Sequence, residues 1–183
     1  MIRRALIIAV ALLAVSTLAD ADPSGGAPVN QRQPSASDLS KSPSALLPKS
    51  EVTGKSPIDI VATAPLATIN NPFTGQPDKI EAGKAAFQGK GCPGCHGGNG
   101  GGGMCPPITN DVWVYGSDDD TLFRLVTLGS EGLQKKGFVR IGMESIVAPM
   151  PPFGELLKSD EELFEILAYI RSLYKGAPNR INW

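Results

Sequence analysis

Residues 89–103 read GKGCPGCHGGNGGGG and hold two of the chain's three cysteines and its only histidine, ahead of a run of glycine. Two thiols and an imidazole at this spacing share one helical turn, so whatever they grip is gripped along a single edge. The residues after it have almost no side chains. The chain has 183 residues, room for one ordinary domain with extensions. Lys+Arg 17 against Asp+Glu 18 leaves a net charge of -1, and no basic face points to nucleic acid.

The amino terminus carries a second pattern. Arg3 and Arg4 precede an apolar run from Ala5 to Leu18, and Ala19-Asp20-Ala21 supplies small residues at a cleavage site. Residues 1–21 therefore form a secretory signal peptide, with cleavage expected after Ala21. The apolar run falls short of the roughly 20 residues needed to cross a bilayer, so no stable membrane span is expected in the mature protein. Residues 22–70 are rich in Ser, Pro, Ala and Gln at first and show no sustained period. Such a composition buries too little apolar surface to offset chain ordering, and it predicts a flexible, disordered extension. The remaining unit, 71–183, has its folded body from Asn71 to about Lys175 and is small enough to gain from a staple beyond its own core.

Three helices are predicted around the motif. SDEELFEILAYIRSLYKG opens on Ser159 with Glu162 three places on, a capping box, and Leu163, Ile166, Leu167, Ile170 and Leu173 recur at helical spacing. Gly176 and Pro178 are its expected stop. A first helix begins near Pro77 and carries Ile80, Gly83 and Phe87 on one face, ending at Gly89 or Gly91. A middle helix fits SDDDTLFRLVTLG, with Ser117 as cap, three aspartates in the first turn and Gly129 as terminator. No strand pattern compares in strength, so the fold class is mainly α.

C-x-x-C-H is the attachment signature of c-type haem. Cys92 and Cys95 can form thioethers to the two vinyl groups of one haem, and His96 then lies against the iron as a nitrogen ligand. Zinc would require Cys95 and its neighbour His96 to bind one ion, a thioredoxin-type pair would need a βαβ context, and a Cys92–Cys95 disulfide would close a very tight loop. With one histidine in the chain, the second axial ligand is sought among Met104, Met143 and Met150. Met104 lies too near His96 to reach the opposite haem face easily. Met150 sits in the proline-stiffened loop APMPPFG and is the expected ligand, with Met143 in reserve.

Residues 78–175 resemble the class I cytochrome c family in their first helix with Gly83 and Phe87, CPGCH, MPPFG, and a closing helix with ILAYIRSL. The resemblance implies a class I cytochrome c fold, a single haem-binding domain in which the first and last helices cross, Gly83 and Phe87 meeting Ile166 and Tyr169. GGNGGGGMCPPITNDVWVYG, with NPFTGQPDKIEAG before it and DDDTLFRLVTLGS after it, is similar to the cytochrome cL branch. Those proteins accept electrons from pyrroloquinoline-quinone (PQQ) methanol dehydrogenases, and the details fit best the partner of the lanthanide-dependent enzyme.

The function expected is that of a periplasmic, monohaem electron carrier, not an enzyme. It would take electrons singly from a PQQ-dependent methanol or alcohol dehydrogenase and pass them to a downstream cytochrome c or oxidase. A general carrier to an oxidase is the alternative, as is a haem sensor or peroxidase-like enzyme if the sixth iron position is open. Trp113 and Tyr115 are expected to line the haem with their polar tips near a propionate, and Arg140 to pair with a propionate. Cys105 is left as an odd thiol.

Overall fold

The computed structural model describes residues 47–142, 144 and 147–175; the expected leader (1–21), residues 22–46, Met143 and the expected stop at Gly176 and Pro178 lie outside the described residues. Among the described residues the elements are α1 (Pro57–Thr63), α2 (Pro77–Gly89), α3 (Pro93–His96), α4 (Asp119–Lys135) and α5 (Asp160–Leu173), with no strand. The fold is mainly α, as the periodicity predicts.

The frame is the crossing of α2 and α5. Gly83 is buried at the contact, and a Cβ built there would lie 1.8 Å from the Glu165 carbonyl oxygen, so only glycine lets the two backbones approach this closely. One turn on, Phe87 meets Tyr169 edge to face with ring centroids 5.4 Å apart, and Ile166 is buried beside them. The four residues expected at the crossing are all there. Phe164, on the same helix, packs against Phe73 and against Phe123 of α4, joining the three elements in one core.

Helix α5 starts where its sequence says. The Ser159 hydroxyl accepts from the Glu162 N–H, but the Glu162 carboxylate reaches the Lys158 N–H at 2.7 Å rather than that of Ser159. At its other end the helix stops at Leu173, before the expected Gly176. Helix α4 differs more. Asp118, not Ser117, is its cap, accepting from the Thr121 N–H at 2.8 Å. Gly129 does not end it: the chain breaks there, at φ 70° and ψ 171°, and then resumes its helix to Lys135.

The largest correction concerns the extension. Residues 47–70, expected as part of a flexible tether, pack into the domain. Ser56 caps α1, whose Val61 enters the core, and Ile69 is buried alongside. Acidic residues from the helix starts bind this segment's backbone. Asp160 takes the N–H groups of Thr53 (2.7 Å) and Gly54 (2.8 Å) and the Thr53 hydroxyl, while its own N–H donates to the Lys55 carbonyl. Asp120 accepts from Thr68 and Ile69 N–H, and Asp119 from Asn71 N–H. Arg124, buried and paired with Asp120 at 2.7 Å, donates to the Ala64 and Pro65 carbonyls. These aspartates sit at helix N-termini as the dipole argument requires, but their partners lie 48–107 residues away in sequence.

Asp160→Ala removes the shared acceptor of the Thr53 and Gly54 N–H groups; both residues are exposed, so water takes its place in part and each lost bond costs about 1 kcal/mol. The expected result is a lower unfolding midpoint, with amide exchange at Thr53 and Gly54 accelerated well before that of α5. Unchanged protection there would show that the segment is held by its apolar residues alone.

Candidate functional site

The motif folds into a single turn. Gly91, at φ 80°, turns the chain after α2, and Pro93 opens α3, with the Cys95 and His96 N–H groups both donating to the Cys92 carbonyl. Both cysteines and the histidine therefore share one turn, as their spacing predicts. Gly97, at φ 78°, ends it and begins the glycine run. The run folds back on the motif: Gly102 N–H donates to the His96 carbonyl at 2.8 Å and Cys105 N–H to the Cys95 carbonyl at 3.2 Å.

That fold-back sets the state of the imidazole. His96 Nδ1 lies 2.9 Å from the Pro106 carbonyl oxygen. A carbonyl can only accept, so Nδ1 carries a hydrogen and the nitrogen left for a ligand bond is Nε2. A ring so oriented is ready to act as a ligand through Nε2.

Met150 is held by the break in α4. Losing helical geometry at Gly129 frees the Val126 and Thr127 carbonyls, which accept instead from the Phe153 and Gly154 N–H groups at 2.9 and 3.1 Å. Ser130 then makes two bonds to one residue: its N–H donates to the Met150 carbonyl and its hydroxyl accepts the Met150 N–H, both at 3.0 Å. A Cβ at position 129 would lie 2.6 Å from the Met150 carbonyl oxygen, so the loop packs directly on the glycine. Sequence reading did not find Ser130 or Pro106, because nothing in a local pattern marks a backbone anchor for a distant loop.

His96 and Met150 both line two adjoining cavities, the larger of about 110 Å³ and the smaller of about 30 Å³. The walls are overwhelmingly apolar: Val126, Ile108 and Ile170 serve both, Phe87 and Cys92 the smaller, Leu122 and Leu167 the larger. Cys95 is half-buried and in neither wall, against Cys105, whose thiol hydrogen-bonds it. Burial, helped by that neighbour, pushes the Cys105 thiol up to about 11, and burial likewise raises Cys92. Met104 is exposed, away from these walls.

Three residues expected near haem carboxylates are placed differently from one another. Trp113 lines the larger cavity, buried, and its Nε1–H has no hydrogen-bond partner among the described residues. Tyr115 lines it too, but its hydroxyl accepts from Gln134 Nε2 at 2.9 Å. Arg140 is exposed and in neither wall; its guanidinium donates to the Glu144 backbone carbonyl. Sequence reading also missed Glu144, whose two carboxyl oxygens are buried in the larger wall with no hydrogen-bond partner among the described residues; burial raises its pKa and the Arg140 charge opposes the shift.

An apolar slot with an imidazole and a thioether in its walls suits a flat apolar macrocycle with a metal centre. An orphaned indole N–H, a defect of about 1–3 kcal/mol if nothing accepts it, suits the carboxylates such a group brings. The residues fit haem. They do not fit zinc, since no group of three or more His, Cys, Asp or Glu is placed to hold a metal ion among the described residues.

Comparison with known proteins agrees. The cytochrome c family model matches residues 80–174. Among solved structures, the chain is similar to cytochrome cL from the marine methylotrophic bacterium Methylophaga aminisulfidivorans MPT, with 24% identity, 73% of this chain and 74% of that chain covered, and a TM-score of 0.46. It is also similar to cytochrome cL from Hyphomicrobium denitrificans, with 22% identity, coverage of 74% and 68%, and a TM-score of 0.46. No curated protein matches. With a family match over more than half its length, the chain belongs to the cytochrome c family of electron carriers, which bind haem c covalently.

Proposed function

We propose that this is a periplasmic monohaem cytochrome that takes electrons singly from a PQQ-dependent methanol or alcohol dehydrogenase and passes them to a downstream cytochrome c or oxidase. In this reading Cys92 and Cys95 would hold the haem through thioethers, and His96 Nε2 and Met150 Sδ would bind its iron. Bound haem supplies a one-electron couple, and this chain's residues hold it and keep water out. The observation that carries the reading is the pairing of His96 and Met150 in the walls of one apolar site, each fixed by backbone hydrogen bonds. Thioether ligation favours a high reduction potential, and an apolar wall favours the less charged ferrous state.

Export rests on the leader pattern at 1–21. No described helix is long and apolar enough to cross a membrane. The folded unit is taken to begin near residue 47 instead of 71, leaving 22–46 as the extension. The donor assignment rests on the GGNGGGGMCPPITNDVWVYG resemblance, and exposure of Gly98, Asn99, Gly101 and Met104 beside the motif leaves that edge open to a partner. A net charge of -1 predicts a contact with little electrostatic steering.

Mixing the ferric protein with purified PQQ methanol dehydrogenase and its alcohol should reduce the haem within turnover time, with a rate nearly flat in ionic strength. Reduction by an unrelated quinoprotein alone, or a steep fall with salt, would reject the donor or its docking mode. Met150→Ala should abolish the methionine–iron charge-transfer band and lower the midpoint potential. A wild-type ferric spectrum that is already high-spin would favour a sensor or peroxidase-like role instead. Holo-protein should contain a single alkylatable thiol, Cys105. Because the thiolate is the reactive form and burial raises the Cys105 pKa above the usual thiol value, folded-state alkylation should be slow at pH 8 and quicken about tenfold per pH unit while the pH stays below that pKa.

A further inference from the structure

Arg171, on the last turn of α5, has no part in the ligand set, yet it is held against the cavity wall. Its guanidinium carbon lies 5.5 Å from the centroid of the Trp113 ring. From the other side it is pinned by Asp119, Nη2 to Oδ1 at 2.6 Å, and the second Asp119 oxygen accepts the Asn71 N–H at 2.9 Å. Tyr174, one turn further along, meets the same indole edge to face with centroids 4.8 Å apart, and its hydroxyl donates to the Asp111 carbonyl at 2.8 Å. The indole is thus clamped by two residues of one helix end. Its Nε1–H is buried and unpaired among the described residues.

We infer that Arg171 is a positioning residue for electron transfer: seated over Trp113, it strengthens the indole N–H as a donor to a haem propionate and so holds the reduction potential up. This inference rests on the haem site proposed above. A cation over an aromatic face draws the ring's electron density toward itself, leaving the N–H more positive. A stronger donor takes more of the negative charge from the carboxylate it meets, and less of that charge then stabilises ferric iron. As a bare charge Arg171 would do little, because Asp119 neutralises it at 2.6 Å. Its influence passes through the ring. Arginine suits the task better than lysine, since a planar guanidinium can stack on an indole and still serve a carboxylate with its edge.

The test uses the holo, full-length protein and reads midpoint potential by redox titration. The double substitution Asp119→Asn/Arg171→Gln removes both charges together, so neither is left buried and alone. The expected result is a lower potential than wild type, with the indole Nε1–H resonance of the ferrous protein moved upfield and exchanging faster. In a Trp113→Phe background the same double substitution should shift the potential by less than a third as much. An equal shift in both backgrounds would mean that the charges act directly on iron, and no shift in either would mean that Arg171 has no such role; each overturns the inference. Should the double variant lose its methionine-ligated spectrum, Arg171→Lys keeps a cation for Asp119 while giving up the guanidinium over the ring; it should lower the potential, and a wild-type value would count against the inference. Trp113→Phe alone separates the two levels. If it changes nothing, the placement of Trp113 at a propionate fails. If it lowers the potential while the Arg171 variants do not, only the present inference fails.

Discussion

A thioether can serve iron only if its sulfur is delivered to one place, and methionine is too flexible to find that place unaided. The constraint is met in the backbone. Gly129 leaves helical geometry in the middle of α4, and the carbonyls it releases take up the loop that carries Met150. Ser130 closes the arrangement with two hydrogen bonds to Met150 itself. The broken helix is thus a socket for a loop without regular structure. The same break leaves Val126, one turn before it, in the cavity wall, so socket and wall are parts of one element.

The opposite side is built by a different device. His96 stands on a helix of one turn, too short to be stable alone, and is stabilised by what folds over it. The glycine run returns on the motif and brings the Pro106 carbonyl to Nδ1. Part of that path admits no side chain: a Cβ at Gly97 would lie 2.7 Å from the Gly102 carbonyl oxygen and one at Gly103 2.8 Å from the Cys95 carbonyl oxygen, whereas Gly98 and Gly101 face open space. The run therefore has a structural duty in orienting the His96 ring. Tight packing at the α2–α5 crossing, where Gly83 admits the Glu165 carbonyl, carries both halves of the site on a common frame.

Polar contacts join the rest of the molecule to that frame. Asp119, Asp120 and Asp160 each occupy a helix start and each bind backbone N–H groups from residues 53–71. Asp119 also holds Arg171 against Trp113, so the segment before α2 and one wall of the cavity share a single carboxylate. The Arg124–Asp120 pair is buried, which is tolerable because Arg124 also donates to the Ala64 and Pro65 carbonyls and Asp120 also accepts from the Thr68 and Ile69 N–H groups.

Much was legible in the residues alone. The α2 and α5 periods, the Ser159 cap and the turn bearing Cys92, Cys95 and His96 all follow from local rules of side-chain spacing and capping chemistry. Gly129 was legible as a breaker of helix but not as a hinge within one, since the resumption depends on a loop some 20 residues away finding the freed carbonyls. Residues 47–70 were misread because composition measures apolar burial, whereas this segment is held largely by distant aspartates acting on its backbone. Orientation escaped for the same reason. That Tyr115 turns to Gln134, that Arg140 stands outside the cavity walls, and that Trp113 keeps an unpaired N–H under Arg171 are outcomes of which elements meet, and only the assembled chain decides that.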